Sequence, residues 1–114
     1  YFADSFGNLR PIKVKKICKI IKKNWKKEFG IHSHDNCGLA LQNALTAIKH
    51  GARWIDSTIQ GMGRGAGNVT TEDLLCEIND IYDFKYKDGI YFAVCGGNRS
   101  CSWSAVLTSA DRGE

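Results

Sequence analysis

Hydrophobic and polar positions follow two alternating periodicities over the first 83 residues. Short apolar runs, typical of buried strands, centre on Phe2, Ile31 and Ile55. After each run, apolar residues recur at spacings of three and four, which predicts amphipathic helices over about 12–29, 39–51 and 70–83. Three successive strand–helix units predict an α/β fold, with parallel strands and with helices packed outside the sheet.

The pattern changes near residue 88. Ile90–Val94 has the composition of a strand, but glycines and serines follow it and show no period. We therefore expect one domain over residues 1–87 and a divergent or poorly ordered tail over residues 88–114.

The composition limits the class of protein to which this chain can belong. The 114 residues are 43% hydrophobic and 25% charged, as in an ordinary globular domain. No apolar run approaches about 18 residues, so no membrane span is expected. Five cysteines, an odd number without a CxxC pair, favour a reducing and hence cytoplasmic location. The start at Tyr1, without the pattern of a signal peptide, suggests a piece of a longer protein.

The net charge of +4 comes largely from the helix between Lys13 and Lys27. One interpretation is a non-catalytic basic module that binds nucleic acid or an anionic membrane. The polar side of this helix has no interleaved aromatic residues for base stacking, which favours a solvated outer surface. We therefore expect neither nucleic acid nor membrane as a partner.

Two histidines follow the second apolar run. If this segment is extended, His32 and His34 project to the same side, an arrangement that can share a divalent ion. Surface or hydrogen-bonded histidines are the alternative. Cys37 permits a zinc site, but only three soft ligands would then be present. An amide or carboxylate oxygen as third ligand would favour Mg²⁺ or Mn²⁺ instead.

A glycine-rich loop follows the third apolar run, with glycine at every second position from Gly61 to Gly67 and then Asn68. Its place between a strand and a helix suits a phosphate site, but its spacing matches neither common nucleotide fingerprint. Glycines that supply positive φ or close backbone approach are the alternative that we favour. Because parallel strands end at one edge, Asn68 is expected to approach the histidine pair.

Taken together, these motifs resemble a known family. The runs GIHSHDNCGLA at 30–40, GARWIDST at 51–58 and GMGRGAGN at 61–68 are similar to the HMG-CoA lyase-like superfamily. That superfamily includes 4-hydroxy-2-oxovalerate aldolase and the 2-isopropylmalate and homocitrate synthases. The resemblance implies a TIM (β/α)₈ barrel, of which this chain would be the last three strand–helix units. Residues from Asp88 onward do not share this resemblance to the superfamily.

The resemblance also implies a site. His32, His34 and Asn68 match the family's ligands for a divalent metal, Mn²⁺ or Mg²⁺, with Zn²⁺ less suited. Ser5, in the run ADSFG, matches a hydroxyl that contacts the bound 2-oxo acid. An aspartate and an arginine that the family carries on its first strand are absent from this chain.

The expected function is therefore that of a fragment of a metal-dependent aldolase or lyase. It would make or break a C–C bond beside a small-molecule 2-oxo acid, through pyruvate-enolate chemistry. GMGRGAGN is closer to the aldolases, whereas HDN at 34–36 resembles the Claisen-type acyl-CoA synthases, which remain the alternative. We expect the isolated chain to be inactive, and its partners to be the remaining barrel strands or further copies of itself.

Overall fold

The computed structural model describes residues 1–82, 90–94 and 103–107, and the side chains of residues 1–78. Within these ranges the elements are, in chain order, β1 (Phe2–Asp4), α1 (Pro11–Asn24), β2 (Gly30–Ser33), α2 (Ala40–Lys49), β3 (Trp54–Ser57), a 3₁₀ turn (Ile59–Gly61), α3 (Thr71–Tyr82), β4 (Ile90–Val94) and β5 (Trp103–Leu107). None of the helices in this part of the chain is long and apolar enough to cross a membrane.

The first three strands are parallel neighbours, as predicted. Ile31 of β2 lies beside Phe2 of β1 on one side and beside Ile55 of β3 on the other. The three strands therefore end at the same edge of the sheet, which we call the carboxyl edge, after Asp4, Ser33 and Ser57.

Alternate residues of these strands form the core with the helices. Ile31 and Ile55 are fully buried and pack with residues from all three helices: Val14, Cys18, Ala44, Ala47, Ile48, Leu74 and Ile78. Small alanines of α2 allow close approach between that helix and the strands beneath it. The three strand–helix units thus share one core, which lies between the helices and one face of the sheet.

Helix α1 is shorter than predicted, because it ends at Asn24 rather than near Phe29. Trp25 takes an extended conformation, with φ −127° and ψ 114°. Its indole N–H donates to the Glu28 carbonyl at 3.2 Å, and its side chain is 52% exposed. The apolar period that predicted a longer helix therefore included a tryptophan that is half exposed and lies outside the buried core.

The sheet continues beyond the three units in a different way. Its order is β1-β2-β3-β5-β4, and β5 pairs with both β3 and β4 in antiparallel fashion. The strand indicated at Ile90–Val94 is present as β4, whereas β5 lies where no strand was predicted. A (β/α)₈ barrel contains only parallel strands, so β5 is not a barrel strand. Whether residues 88–114 form a separate tail stays a prediction.

Candidate functional site at the carboxyl edge

Two loops meet at the carboxyl edge after β1 and β2. The Cys37 N–H donates to the Gly7 carbonyl at 3.1 Å, which ties the second loop to the first. Gly7 has a φ of +62°, and a Cβ there would overlap the side chain of Asn36. The contact thus requires glycine at this position both for conformation and for space.

His32 lies on the sheet face opposite the core. Its neighbours Ile31 and Ser33 are buried under the helices, whereas 31% of the His32 side chain is exposed. Nδ1 of His32 lies 3.0 Å from Oδ2 of Asp56 on the adjacent strand β3. The Asp56 side chain is 19% exposed, so this contact is only partly screened by solvent.

His34 joins the histidine pair to the glycine-rich loop. The rings of His32 and His34 meet edge to face, with centroids 4.9 Å apart and planes at 78°. His34 forms an isolated antiparallel bridge with Asn68, and the next N–H, of Asp35, donates to the Gly67 carbonyl at 3.0 Å. His34 therefore lies beside His32 through its ring and beside Asn68 through its backbone, and shared metal binding by the three residues stays a prediction.

The glycine-rich loop is held by its own backbone. Gly67 has a φ of +91°, and a Cβ there would overlap the Gly61 carbonyl oxygen, which accepts the Asn68 N–H at 3.0 Å. The N–H groups of Gly61 and Met62 donate to carbonyls of the preceding turn, and the Gly67 N–H donates to the Arg64 carbonyl. A Cβ at Gly63 or Gly67 would overlap atoms of the same loop, which favours close backbone approach as the reason for these glycines.

The side chain of Asn68 is fixed at one end and unsatisfied at the other. Its Nδ2 donates to the Met62 carbonyl at 3.1 Å, and a Cβ at Gly63 would overlap this nitrogen. Its Oδ1 is buried and has no hydrogen-bond partner. An orphaned amide oxygen in the loop that bridges to His34 suits a divalent cation, since oxygen is the ligand that Mg²⁺ and Mn²⁺ prefer.

Ser5 directly follows the last residue of β1 at the same edge, and its side chain is exposed. The residue before it, Asp4, is buried, and its carboxylate accepts the N–H groups of Asn8 and Leu9 at 3.1 and 3.0 Å. Asp4 thus closes the loop that holds Ser5. No hydrogen bond of the Ser5 side chain occurs within residues 1–78.

The site does not extend to Cys37. That thiol is exposed, and no three His, Cys, Asp or Glu side chains among residues 1–78 converge as ligands. The zinc alternative through Cys37 therefore lacks support in this part of the chain, and the set of two imidazoles and one amide oxygen stays a prediction.

Comparison with known proteins agrees with the fold and with the motifs at this edge. The HMGL-like family model matches residues 1–85. The chain belongs to the HMGL-like family. This match ends at residue 85, before the antiparallel strands β4 and β5.

Two curated relatives illustrate the range of the HMGL-like family. The 4-hydroxy-2-oxovalerate aldolase of Carboxydothermus hydrogenoformans is 43% identical over 75 residues, which are 66% of this chain and 22% of that protein. An Archaeoglobus fulgidus protein assigned as (R)-citramalate synthase CimA is 40% identical over 86 residues, 75% of this chain and 18% of that protein. The chain thus spans about a fifth of these relatives.

Solved structures of this family show the same architecture. The N-terminal domain of a Bacteroides vulgatus protein assigned as an aldolase has a TM-score of 0.70 and 44% identity, covering 73% of this chain and 28% of that one. An HMG-CoA lyase from Acinetobacter baumannii, in complex with coenzyme A and 3-methylmalate, has a TM-score of 0.62 and 32% identity. The match covers 69% of this chain and 28% of that one. Residues 1–82 are accordingly part of a TIM-barrel domain.

Sequence reasoning missed Asp56 in this HMGL-like chain. A signal was present, because an aspartate inside the apolar run of β3 occupies the side of the strand that is opposite to Ile55. The partner of Asp56 depends on the register between β2 and β3, which lies outside any local pattern. Only the pairing of Ile31 with Ile55 makes His32 its neighbour.

The lysine-rich side of α1 offers no comparable site. Its lysines are exposed, and within residues 1–78 none forms an ion pair with a carboxylate. At the end of α2, burial lowers the pKa of His50, together with the ammonium groups of Lys15, Lys19 and Lys22 of α1 and of Lys49 of α2. These contacts describe a solvated basic surface at the opposite end of α2 from the histidine pair.

Proposed function

We propose that the protein to which these residues contribute is a divalent-metal-dependent aldolase that acts on 2-oxo acids. One observation carries the proposal: the buried Oδ1 of Asn68 has no partner and lies in the loop that bridges to His34. A polar atom left unsatisfied in this position is costly unless a ligand completes it. The relatives named as aldolases support the same class of reaction.

The metal would be held by His32, His34 and Asn68, and Mn²⁺ or Mg²⁺ suits the amide oxygen better than Zn²⁺ does. When bound, such an ion supplies Lewis-acid stabilisation of the enolate that forms beside the carboxylate. Two neutral imidazoles and an amide add no negative charge, so the chain alone should hold the ion weakly.

The remaining residues at this edge would orient the substrate. Ser5 is exposed on the loop closed by Asp4, so its hydroxyl is available to a 2-oxo acid carboxylate. Hydrogen bonds of the glycine loop and of the Asn68 amide hold Asn68 in place. Such preorganisation is what electrostatic stabilisation of a developing charge requires.

An acyl-CoA synthase is the second candidate, and two observations favour it. The Archaeoglobus fulgidus relative is assigned as a citramalate synthase, and the Acinetobacter baumannii lyase is a complex with coenzyme A. We place the chain on the aldolase side because Arg64-Gly65 stands where the synthases tend to carry Glu-Arg.

The chain by itself should be inactive. It spans about a fifth of its curated relatives and has neither the aspartate nor the arginine expected on a first barrel strand. Its edge strand β1 is flanked by Tyr1 and Phe6, which are 63% and 82% exposed. An apolar edge of this kind pairs with other strands, so we expect self-association of the isolated chain.

The test measures pyruvate release from a 4-hydroxy-2-oxo acid by the intact protein, with Mn²⁺ and after chelation. We expect metal-dependent release that His32→Ala reduces by at least about a hundredfold, on the scale of a lost charge-stabilising group. His50→Ala is the matched control and should retain activity, because His50 lies at the other end of α2.

Release of free coenzyme A from acyl-CoA and a 2-oxo acid, without pyruvate release from the aldol, would instead favour the synthase. Equal activity of His32→Ala and wild type, or activity indifferent to chelation, would contradict both enzymes. A basic binding module would show neither reaction.

A further inference from the structure

Asp56 is placed beside His32 by the register of two strands. Because Ile31 pairs with Ile55 in the parallel ladder, the next residue along each strand projects from the opposite face of the sheet. Those residues are His32 and Asp56, with Nδ1 and Oδ2 3.0 Å apart. This distance is within hydrogen-bond range for a nitrogen and an oxygen.

The chemistry of the pair decides which nitrogen carries the proton. An ionised carboxylate can only accept, so the hydrogen of a neutral His32 must be on Nδ1. Nε2 then keeps its lone pair and is the ring atom able to bind a cation. Without an acceptor at Nδ1, the ring could exchange tautomers and rotate, and the lone pair would not stay in one place.

His34 lacks such a partner. Within residues 1–78 its side chain makes no hydrogen bond, and its contact with His32 is ring against ring at 4.9 Å. The two histidines are therefore not equivalent, since only His32 has a carboxylate at its second nitrogen.

We propose that Asp56 is a positioning residue, which holds His32 as the Nδ1-protonated tautomer with Nε2 directed to the ligand site. The tautomer part stands on the contact with Asp56 alone, whereas the consequence for metal affinity rests on the proposed function. A purely structural ion pair would stabilise the sheet without setting the position of the proton.

The first experiment needs no metal. Selective ¹⁵N-histidine labelling of the intact protein, at mildly alkaline pH where imidazoles are neutral, reports which nitrogen is protonated. We expect His32 to carry its proton on Nδ1, with assignment by His32→Gln. A wild-type His32 protonated on Nε2 would overturn the proposal without any variant.

The variants sharpen this test. Asp56→Ala should release His32 to a mixture of tautomers and weaken Mn²⁺ binding about 10- to 100-fold, the usual effect of losing an outer partner of a metal-bound histidine. Asp56→Asn should retain the Nδ1-protonated form, since its amide oxygen can still accept, and should lose less affinity. Asp73→Asn, an exposed carboxylate on α3, is the matched control and should change neither.

An unchanged His32 tautomer in Asp56→Ala would contradict the assigned role. If the tautomer shifts while wild type binds no Mn²⁺, the positioning contact stands and the proposed function fails. If Mn²⁺ binds equally in wild type and Asp56→Ala, the proposed function stands and the positioning role fails. If Asp56→Ala does not fold, the His32 tautomer in wild type and in Asp56→Asn still tests the proposal.

Discussion

The two faces of the three-stranded parallel sheet differ in almost every physical respect. The helix-covered face carries Ile31, Ile55 and, at the edge, Ser33 and Ser57, all at most 1% exposed. The open face carries Ala3, His32, Trp54 and Asp56, which are exposed or half-buried. One strand thus supplies alternate residues to two environments, because successive side chains point to opposite sides.

This difference separates the residues that form the fold from those that could perform chemistry. The helix-covered face is buried and largely apolar in its centre, so substitutions there change stability. The open face brings an imidazole and a carboxylate into contact and leaves them accessible, so substitutions there should change ligand binding instead.

The largest effect is expected on the helix-covered face. Ile55 is fully buried among residues of the core, so Ile55→Ala should lower the free energy of unfolding by about 2–5 kcal/mol through lost burial and the cavity left behind. His32→Ala on the open face should cost less than about 1 kcal/mol. Chemical denaturation followed by circular dichroism measures both, and equal losses would contradict the distinction between the faces.

The second prediction concerns the loop that crosses the carboxyl edge. Gly67→Ala introduces a Cβ that overlaps the Gly61 carbonyl at a φ of +91°, so we expect a loss of about 1–3 kcal/mol and displacement of Asn68. Gly38→Ala is the matched control, because its φ is +66° but no atom lies within 4 Å of the added Cβ. It should cost only about 1 kcal/mol, the strain of a left-handed residue. If both glycine variants were equally stable, steric contact at Gly67 would not be the cause.

The third prediction uses a buried thiol beneath the helix-covered face. Burial raises the pKa of Cys18 from 9.0 to about 11, and the Lys22 ammonium offsets part of this rise. Between these values the unfolded chain loses the thiol proton first, so stability should fall as pH rises from about 9 to 11, by on the order of 2 kcal/mol.

The measurement is the difference in unfolding free energy between wild type and Cys18→Ala across that range of pH. Cys37→Ala is the control, because the Cys37 thiol is exposed, and it should keep the wild-type slope. A Cys18→Ala variant with the same slope as wild type would show that another group titrates.

The smallest effect is expected at His50. Burial, followed by the charges of nearby lysines, lowers the pKa of its imidazole. The unfolded chain therefore takes up the proton first as pH falls below the ordinary histidine value of about 6.5, and stability decreases slightly in that window. Added salt screens the lysines and should raise the pKa of His50, which ¹H NMR titration would detect. A pKa insensitive to salt would leave burial as the sole cause.

The strand–helix units were predictable because periodicity is a local property. The apolar runs around Phe2, Ile31 and Ile55 each form a parallel strand, and the alternation within β2 placed His32 and His34 near each other. The approach of Asn68 followed from the rule that parallel strands end at one edge.

The features that were not predicted depend on contacts between distant segments. The pairing of Asp56 with His32 requires the register between two strands, and β5 requires β3 as its antiparallel partner. The end of α1 at Asn24 depends on where Trp25 finds a hydrogen bond, which the apolar period does not contain. The sequence pattern thus predicted the buried residues of the helix-covered face better than the contacts on the open face.

We propose that His32, His34 and Asn68 at the carboxyl edge form a site for a divalent cation. Calorimetric titration of Mn²⁺ into the chain measures this binding. We predict weak, saturable binding by wild type and by His50→Ala, and its loss in His32→Ala and in Asn68→Ala. Binding of the same strength in His32→Ala as in wild type would contradict the claim.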